Sequence, residues 1–541
     1  MSAILSADDL NDFIAPGVAC IKPVETLPPP PENPENLYEV HQEDKPPAHL
    51  PPVPTKISLT DCLACSGCVT SAEALLVSLQ SHDEVLDSLE KYKGEKKFVA
   101  MVSPQTRASL SAALGISPIE VQIMVENCLY EIGFDLVVDV DLGKTIALEY
   151  AFQEVKESLE NKERKRPILT SACPGFICYA ESTHPYLIPH LSKLKSPQAL
   201  LGTLIKSILP KELGLSDPAS IYTIAIMPCF DKKLEGSRGE LTSNTWTTTS
   251  DPIRDVDCVI TTRELLSLAS SKSIEFSTLS RQRTHTPTIT SPTLSHLSQI
   301  HSHSSPQSPL FDAPLDPLLS AEGTSDSYLF TILSRLQTLH PGSLVRTNPG
   351  RNLDTLEFIL YDPSSPDKPL VKLARSYGFR NIQNLVRKLK PPKAPRALPR
   401  FGGKARAVAP RAPAKSAEGL DYAYVEVMAC PGGCTNGGGQ IKYDDEVIPA
   451  ERRVENSKEW LARVDEAYFS RPNSPGGSPE EVETEVKKFV DGWAQSLGVE
   501  AEKLVLTTYR EVDDEFAKQR EREKSSTVRA AELAGKAGGG W

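Results

Sequence analysis

Cysteine spacing constrains this chain more than any other feature, because thiols in short fixed motifs commit the backbone around them to holding something. Of 11 cysteines in 541 residues, Cys62, Cys65 and Cys68 stand at C-x2-C-x2-C spacing in DCLACSGCVTSAE. A tight loop with this spacing wraps three thiolates around one face of a cubane, and the fourth ligand comes from a remote cysteine, as in ferredoxin-like sites. Cys20, in FIAPGVACIKP, is the one cysteine upstream, and a linker follows it that is long enough to bring it back. Two alternatives stay open on the residues alone. One is a structural zinc site, since zinc also accepts four thiolates, although zinc sites usually pair two separate C-x2-C knuckles. The other is that Cys20 is a free thiol.

A second group is dispersed in sequence but shares one local form, a sharp small-residue turn after a strand. Its members are Cys173 in LTSACPGF, Cys229 in IAIMPCFDKK, and Cys430 with Cys434 in VMACPGGCTNGGGQ. In an open α/β fold the loops at the carboxyl ends of the strands converge on one crevice, so four thiolates from such loops can hold one buried cluster. Gly432, Gly433, Gly437, Gly438 and Gly439 allow the backbone close approach, with N–H groups free to donate to cluster sulfides. Cys128, Cys178 and Cys258 sit in apolar runs and read as small core hydrophobes.

The rest of the chain sets the frame. Its length calls for two or more structural units. A net charge of -12 disfavours nucleic acid as a partner, and the basic stretch Arg387 to Arg411, broken by prolines, reads as a solvated linker. No run approaches the roughly 18 apolar residues of a membrane span. Asp8, Asp9 and Asp12 argue against secretion and mitochondrial import, and close cysteine spacing then points to metal before disulfides. The expected organisation is an extended N-terminal segment 1–55 carrying Cys20, whose Pro-rich stretch 24–54 holds neither helix nor central strand, and an iron-sulfur region 56–95. A first α/β lobe 96–270 follows, in which KFVAMVS, FDLVVDVD, IYTIAIMP and DCVITT alternate with amphipathic helices as in a largely parallel sheet. Residues 271–325, rich in Ser, Thr, Pro and His, predict a disordered insertion, with His301 and His303 solvated. A second α/β lobe 326–470, interrupted by a Pro/basic linker at 390–418, precedes a C-terminal helical region and flexible tail, 471–541.

The segments TSACPGF, MPCFDKK and MACPGGCTNGGGQ resemble the three cysteine motifs of iron-only hydrogenases, over roughly residues 60 to 460 apart from the insertion. The resemblance implies a two-lobed iron-only hydrogenase-like fold with Cys173, Cys229, Cys430 and Cys434 as cluster ligands. SADDLNDFIAPGVACIKP with DCLACSGCVTSAE resembles a narrower group, the eukaryotic hydrogenase-like proteins of the cytosolic iron-sulfur assembly machinery. That likeness implies Cys20 as the fourth ligand beside Cys62, Cys65 and Cys68, hence two 4Fe-4S clusters. It also implies scaffold and targeting-complex proteins as partners, and a cytoplasmic and also nuclear location. Trp541 on its Gly-rich tether resembles the tail by which clients dock on the targeting complex; an inert end is the alternative. Hydrogenases of this pattern carry a proton-relaying cysteine where this chain has Ala172, and a methyl group moves no proton. The expectation is therefore an assembly factor and not an enzyme, with an iron-only hydrogenase or related redox enzyme and a nuclear lamin-binding hydrogenase-like protein as the alternatives. Lys232 matches a lysine that hydrogen-bonds the diiron subcluster in hydrogenases, and an electrostatic supplement to an anionic cluster is the plainer role for it.

Overall fold

A computed structural model describes residues 79–161, 165–215, 217–247, 251–304, 323–365, 368–391, 421–470 and 477–510. The described residues all belong to the unit Leu75–Trp541. Cys20, Cys62, Cys65, Cys68 and Trp541 lie outside the described residues, as do the stretch 24–54, most of the 390–418 linker and the tail beyond residue 510.

The strands among the described residues are, in chain order, β1 (Lys97–Val102), β2 (Leu136–Asp139), β3 (Ile168–Leu169), β4 (Ile221–Met227) and β5 (Cys258–Thr261). They continue as β6 (Leu344–Pro349), β7 (Thr355–Tyr361), β8 (Pro369–Tyr377) and β9 (Tyr424–Met428). One sheet has the order β2-β1-β4-β5 and is parallel throughout. Period-two alternation sends Phe98, Ala100 and Val102 into one core with Tyr222, Ile224, Ile226, Cys258 and Ile260. Val99 and Met101 go into the other with Ile221, Ala225, Met227 and Val259. Such strands, buried on both faces, read in sequence as continuous apolar runs. Helices cover both faces. Pro118–Ile132 starts at a capping box between Ser117 and Glu120, with Pro118 in its first turn, and supplies Val121, Met124, Cys128 and Leu129 to the first core.

The second sheet has the order β3-β9-β8-β7-β6, parallel from β3 to β8 and antiparallel beyond. Here the expected lobe boundaries need correction. Ile168 and Leu169 fall inside the expected first lobe, yet they pair with Tyr424 and Val425, so Cys173 is carried by the second sheet. Conversely, the helix Ser457–Phe469, from the expected second lobe, sends Trp460, Val464 and Tyr468 into the first sheet's core beside Ile441 and Ile448. The chain visits the second sheet at β3 and returns to the first at β4, and long-range pairing of this kind leaves no local pattern.

Residues 271–304 also correct the expectation of disorder over 271–325. A helix spans Pro292–His303, capped by Ser291, whose hydroxyl accepts from the Leu294 N–H. Leu294, Leu297 and Ile300 are buried in the core. Three apolar residues at helical spacing suffice, although the surrounding Ser, Thr and His dilute them in any composition average. His301 is half-buried and shares a 2.8 Å hydrogen bond with the Thr145 hydroxyl, while His303 is exposed. Near the C-terminus the helix Pro479–Leu497 buries Val486, Phe489, Val490 and Trp493 in the core, with Trp493 Nε1 donating to Ser207 Oγ at 2.9 Å. Among the described residues, no single helix is long and apolar enough to cross a membrane.

Candidate metal centre

Cys173, Cys229, Cys430 and Cys434 all follow the carboxyl ends of parallel strands. Cys173 leads from β3 into the helix Pro174–Thr183, with Pro174 pre-set for its first turn. Cys229 lies two residues past β4, before the short helix Asp231–Gly236. Cys430 lies two residues past β9, and Cys434 opens the turn Cys434–Asn436. Backbone hydrogen bonds pin these loops together. The Ala429 N–H donates to Cys173 Sγ at 3.3 Å, tying the β3 loop to the β9 loop, and the Gly439 N–H donates to the Pro228 carbonyl at 3.0 Å, tying the β9 loop to the β4 loop.

The four thiols are free and half-buried. Burial pushes every one of them up: Cys434 to about 12, Cys229 and Cys430 well above the ordinary thiol range, and Cys173 upward. After burial, Cys229 is raised by Asp231 and by the Cys430, Cys434 and Cys173 sulfurs, and Cys430 by Cys434 and Cys173. Thiols that feel one another this way share one space. Without a cation they stay protonated; a bound metal group demands thiolates and releases those protons. The donor set, four thiols and a hydrogen bond to sulfur, fits an iron-sulfur group. Among the described residues, no three His, Cys, Asp or Glu side chains gather round a single-ion geometry.

Counter-charge comes from Lys232, which is buried, with its ammonium 2.8 Å from Glu235 Oε2. Burial disfavours its charge, but Glu235, Cys229 and Asp326 outweigh that and raise its pKa. Glu235 in turn accepts from Ser196 Oγ at 2.9 Å. Lys233 points elsewhere, 2.6 Å from both the Gln80 carbonyl and Glu264 Oε1. Asp231 lies beside the thiols, and burial lifts its carboxyl to about 6 against the pull of Lys232.

The glycine-rich loop departs from expectation in detail. The Gly432 N–H donates to Asp354 Oδ1 at 2.7 Å, the N–H groups of Gly433 and Gly437 close turns on the carbonyls of Cys430 and Cys434, and that of Gly439 reaches across to the Pro228 carbonyl. The Ala429 N–H, by contrast, does reach sulfur. Cys128 and Cys258 are fully buried, as expected of core residues, and burial pushes both to about 12; Cys178 is half-buried.

Sequence reasoning missed the segment Gly323–Ser327, the first three residues of which fell inside the supposed disordered insertion. Thr324 and Ser325 are buried against the Cys430–Cys434 loop: the Cys434 N–H donates to Ser325 Oγ at 3.0 Å, and Thr324 Oγ1 donates to the Gly432 carbonyl at 3.2 Å. A signal was present in GTSDS, small polar residues just before the apolar helix Tyr328–Leu339, but nothing local says what they touch.

Comparison with known proteins agrees with this architecture. The family model described as iron only hydrogenase large subunit, C-terminal domain, matches residues 96–438. Among solved structures, an apo FeFe-hydrogenase HydA1 from Chlamydomonas reinhardtii superposes with a TM-score of 0.55 at 21% identity, covering 79% of this chain and 98% of that one. Fold and matched family together define a protein of the iron-only hydrogenase large-subunit class. The cytosolic Fe-S cluster assembly factor nar1 of Aspergillus clavatus is 47% identical over 621 residues, and that of Talaromyces marneffei 46% over 615, each match spanning 100% of both chains. Within the class, this chain belongs to the family of cytosolic Fe-S cluster assembly factors. Those relatives are named as assembly factors and not as hydrogenases.

Proposed function

We propose that this protein holds two 4Fe-4S clusters and relays preassembled iron-sulfur units from a scaffold to cytosolic and nuclear apoproteins through a targeting complex, without substrate turnover. Cys173, Cys229, Cys430 and Cys434 would hold the deeper cluster, and Cys20, Cys62, Cys65 and Cys68 the other. The observation that carries the reading is that four free thiols follow the carboxyl ends of parallel strands of two sheets, on loops that hydrogen-bond to one another. When bound, such a cluster supplies a redox-capable iron-sulfur unit; the chain's own residues enclose it, supply sulfur and oppose its charge.

Ala172 supports a role without hydrogen turnover. It is a core residue, 7% exposed, immediately before Cys173, and no thiol stands there to move a proton. Lys232, already paired with Glu235, acts as a fixed positive charge beside the thiols. Partner contacts run through protein surfaces, with Trp541 as a docking handle, in the cytoplasm and also the nucleus.

Depletion tests this reading. Cytosolic iron-sulfur enzymes should lose activity while mitochondrial ones keep theirs, and Cys173→Ala or Cys430→Ala should fail to rescue. Full cytosolic activity after depletion contradicts an assembly role. Infrared bands of iron-bound carbonyl and cyanide in anaerobically purified protein, with hydrogen evolution above background, would instead mark a hydrogenase.

A further inference from the structure

The Gly323–Ser327 turn does more than fill space beside the Cys430–Cys434 loop. Asp326 and Ser327 are consecutive non-glycine residues in the left-handed region, at φ +70 and +62. Strained backbone of this kind persists only where its surroundings over-determine it, and it concentrates at functional sites. Contacts on either side hold the turn, and Glu426 anchors the start of the helix that follows it. Gln105 Nε2, on the helix Pro104–Leu114, donates to the Thr324 carbonyl and to Asp326 Oδ1, both at 3.1 Å. Buried Glu426 accepts from the Leu329 N–H at 2.6 Å and from the Tyr377 hydroxyl. On the thiol side, Thr324 Oγ1 bonds to the Gly432 carbonyl and accepts from Thr435 Oγ1, and Ser325 Oγ accepts the Cys434 N–H at 3.0 Å.

Ser325 is fully buried. A hydroxyl carries one proton and two lone pairs, so with one lone pair on the Cys434 N–H it still has a proton to give. Ser325 Oγ, 3.0 Å from the Cys434 nitrogen, stands next to that residue's side chain. An ionised sulfur is a better acceptor than a protonated one.

We propose that the Gly323–Ser327 turn is a clasp on the Cys430–Cys434 pair, with Ser325 as the positioning residue that fixes Cys434 and, by hydrogen-bonding its sulfur, sets the reduction potential and retention of a cluster held there. The proposal rests on the reading of Cys434 as a cluster ligand. A hydrogen bond to a ligand sulfur favours the more negative, reduced state, so removing it makes reduction harder.

The test uses the full chain, reconstituted anaerobically with iron and sulfide, as wild type, Ser325→Ala, Ser325→Thr, Thr324→Val and Gln105→Ala. Midpoint potentials come from titration followed by electron paramagnetic resonance, and retention from the rate of iron release to a chelator. Ser325→Ala should make reduction of one cluster about tenfold less favourable, about 59 mV more negative for a one-electron couple, and release its iron several-fold faster. Ser325→Thr, which keeps the hydroxyl, should restore the potential towards wild type. Unchanged potential and release in Ser325→Ala overturn the proposal. Should Ser325→Ala fail to fold, Gln105→Ala and Thr324→Val, which loosen the clasp without touching Cys434, must still speed iron release; wild-type rates in both refute it. If wild type carries no iron that depends on Cys430, the cluster reading fails instead, and the clasp is tested by alkylation of Cys434 in the metal-free chain. Gln105→Ala must accelerate that alkylation, and an unchanged rate refutes the clasp.

Discussion

Gly433→Ala is the sharpest single perturbation of the site that leaves every thiol in place. Gly433 has φ +104 and ψ -170, a region in which residues with a Cβ are strained by about 1–3 kcal/mol. An added Cβ would also stand 2.3 Å from Thr324 Oγ1, 3.1 Å from Ser325 Oγ and 3.3 Å from Tyr377 Cε2. Thr324 and Ser325 are buried and hydrogen-bonded, so neither can yield freely, and overpacking adds about 1–3 kcal/mol. The sum is roughly 2–6 kcal/mol. Gly498→Ala is the control: φ is +70, but nothing lies within 4 Å of the new Cβ, so only the left-handed cost of about 1–2 kcal/mol applies. Urea unfolding of both variants, with iron measured per chain after reconstitution, gives the comparison. Gly433→Ala should show the larger loss of stability and hold less iron, while Gly498→Ala keeps its iron. Equal stability losses with full iron in both would refute the packing of this turn against the cysteine loop.

Other expectations follow from the same contacts. Trp493→Ala should cost about 3–5 kcal/mol in thermal or urea unfolding, since Trp493 is 3% exposed and bonded to Ser207; a loss under about 1 kcal/mol would mean that the C-terminal helix is not part of the core. Lys195→Ala leaves buried Asp255, 3.1 Å away, without its cation, and should cost about 3–5 kcal/mol in the same assay. Burial raises Glu426 from 4.5 to about 6. A carboxyl with a raised folded-state pKa binds its proton more tightly folded than unfolded, so its contribution is complete below pH 4.5 and is lost as pH rises through about 6. The loss is about 2 kcal/mol by linkage, and Glu426→Gln should flatten that part of a stability-against-pH curve. In native metal-free protein near neutral pH, Cys128 and Cys258 should resist iodoacetamide while half-buried Cys178 reacts, as peptide mapping can show.

What the sequence disclosed depended on how local each pattern was. The parallel sheet was legible because strands buried on both faces, such as IYTIAIM, are uninterrupted apolar runs. The four thiols were legible as candidates because they sit in three short turn motifs, Cys430 and Cys434 sharing one. The Pro292–His303 helix was hidden: Leu294, Leu297 and Ile300 keep helical spacing, but serines and histidines dominate the window. The pairing of Ile168 with Tyr424 and the contact of Ser325 with Cys434 join residues 256 and 109 positions apart, and no short-range signal encodes either. Ala172 was visible at once, since it is a single residue inside a recognised motif.

Metal content tests the central claim most directly. Anaerobic wild-type protein should carry about eight irons with matching sulfide, and Cys62→Ala and Cys430→Ala should each lose about half, with electron paramagnetic resonance showing a different cluster signal missing in each. Zinc in place of iron, or iron unchanged in Cys430→Ala, would contradict the assignment of Cys173, Cys229, Cys430 and Cys434 as one cluster site.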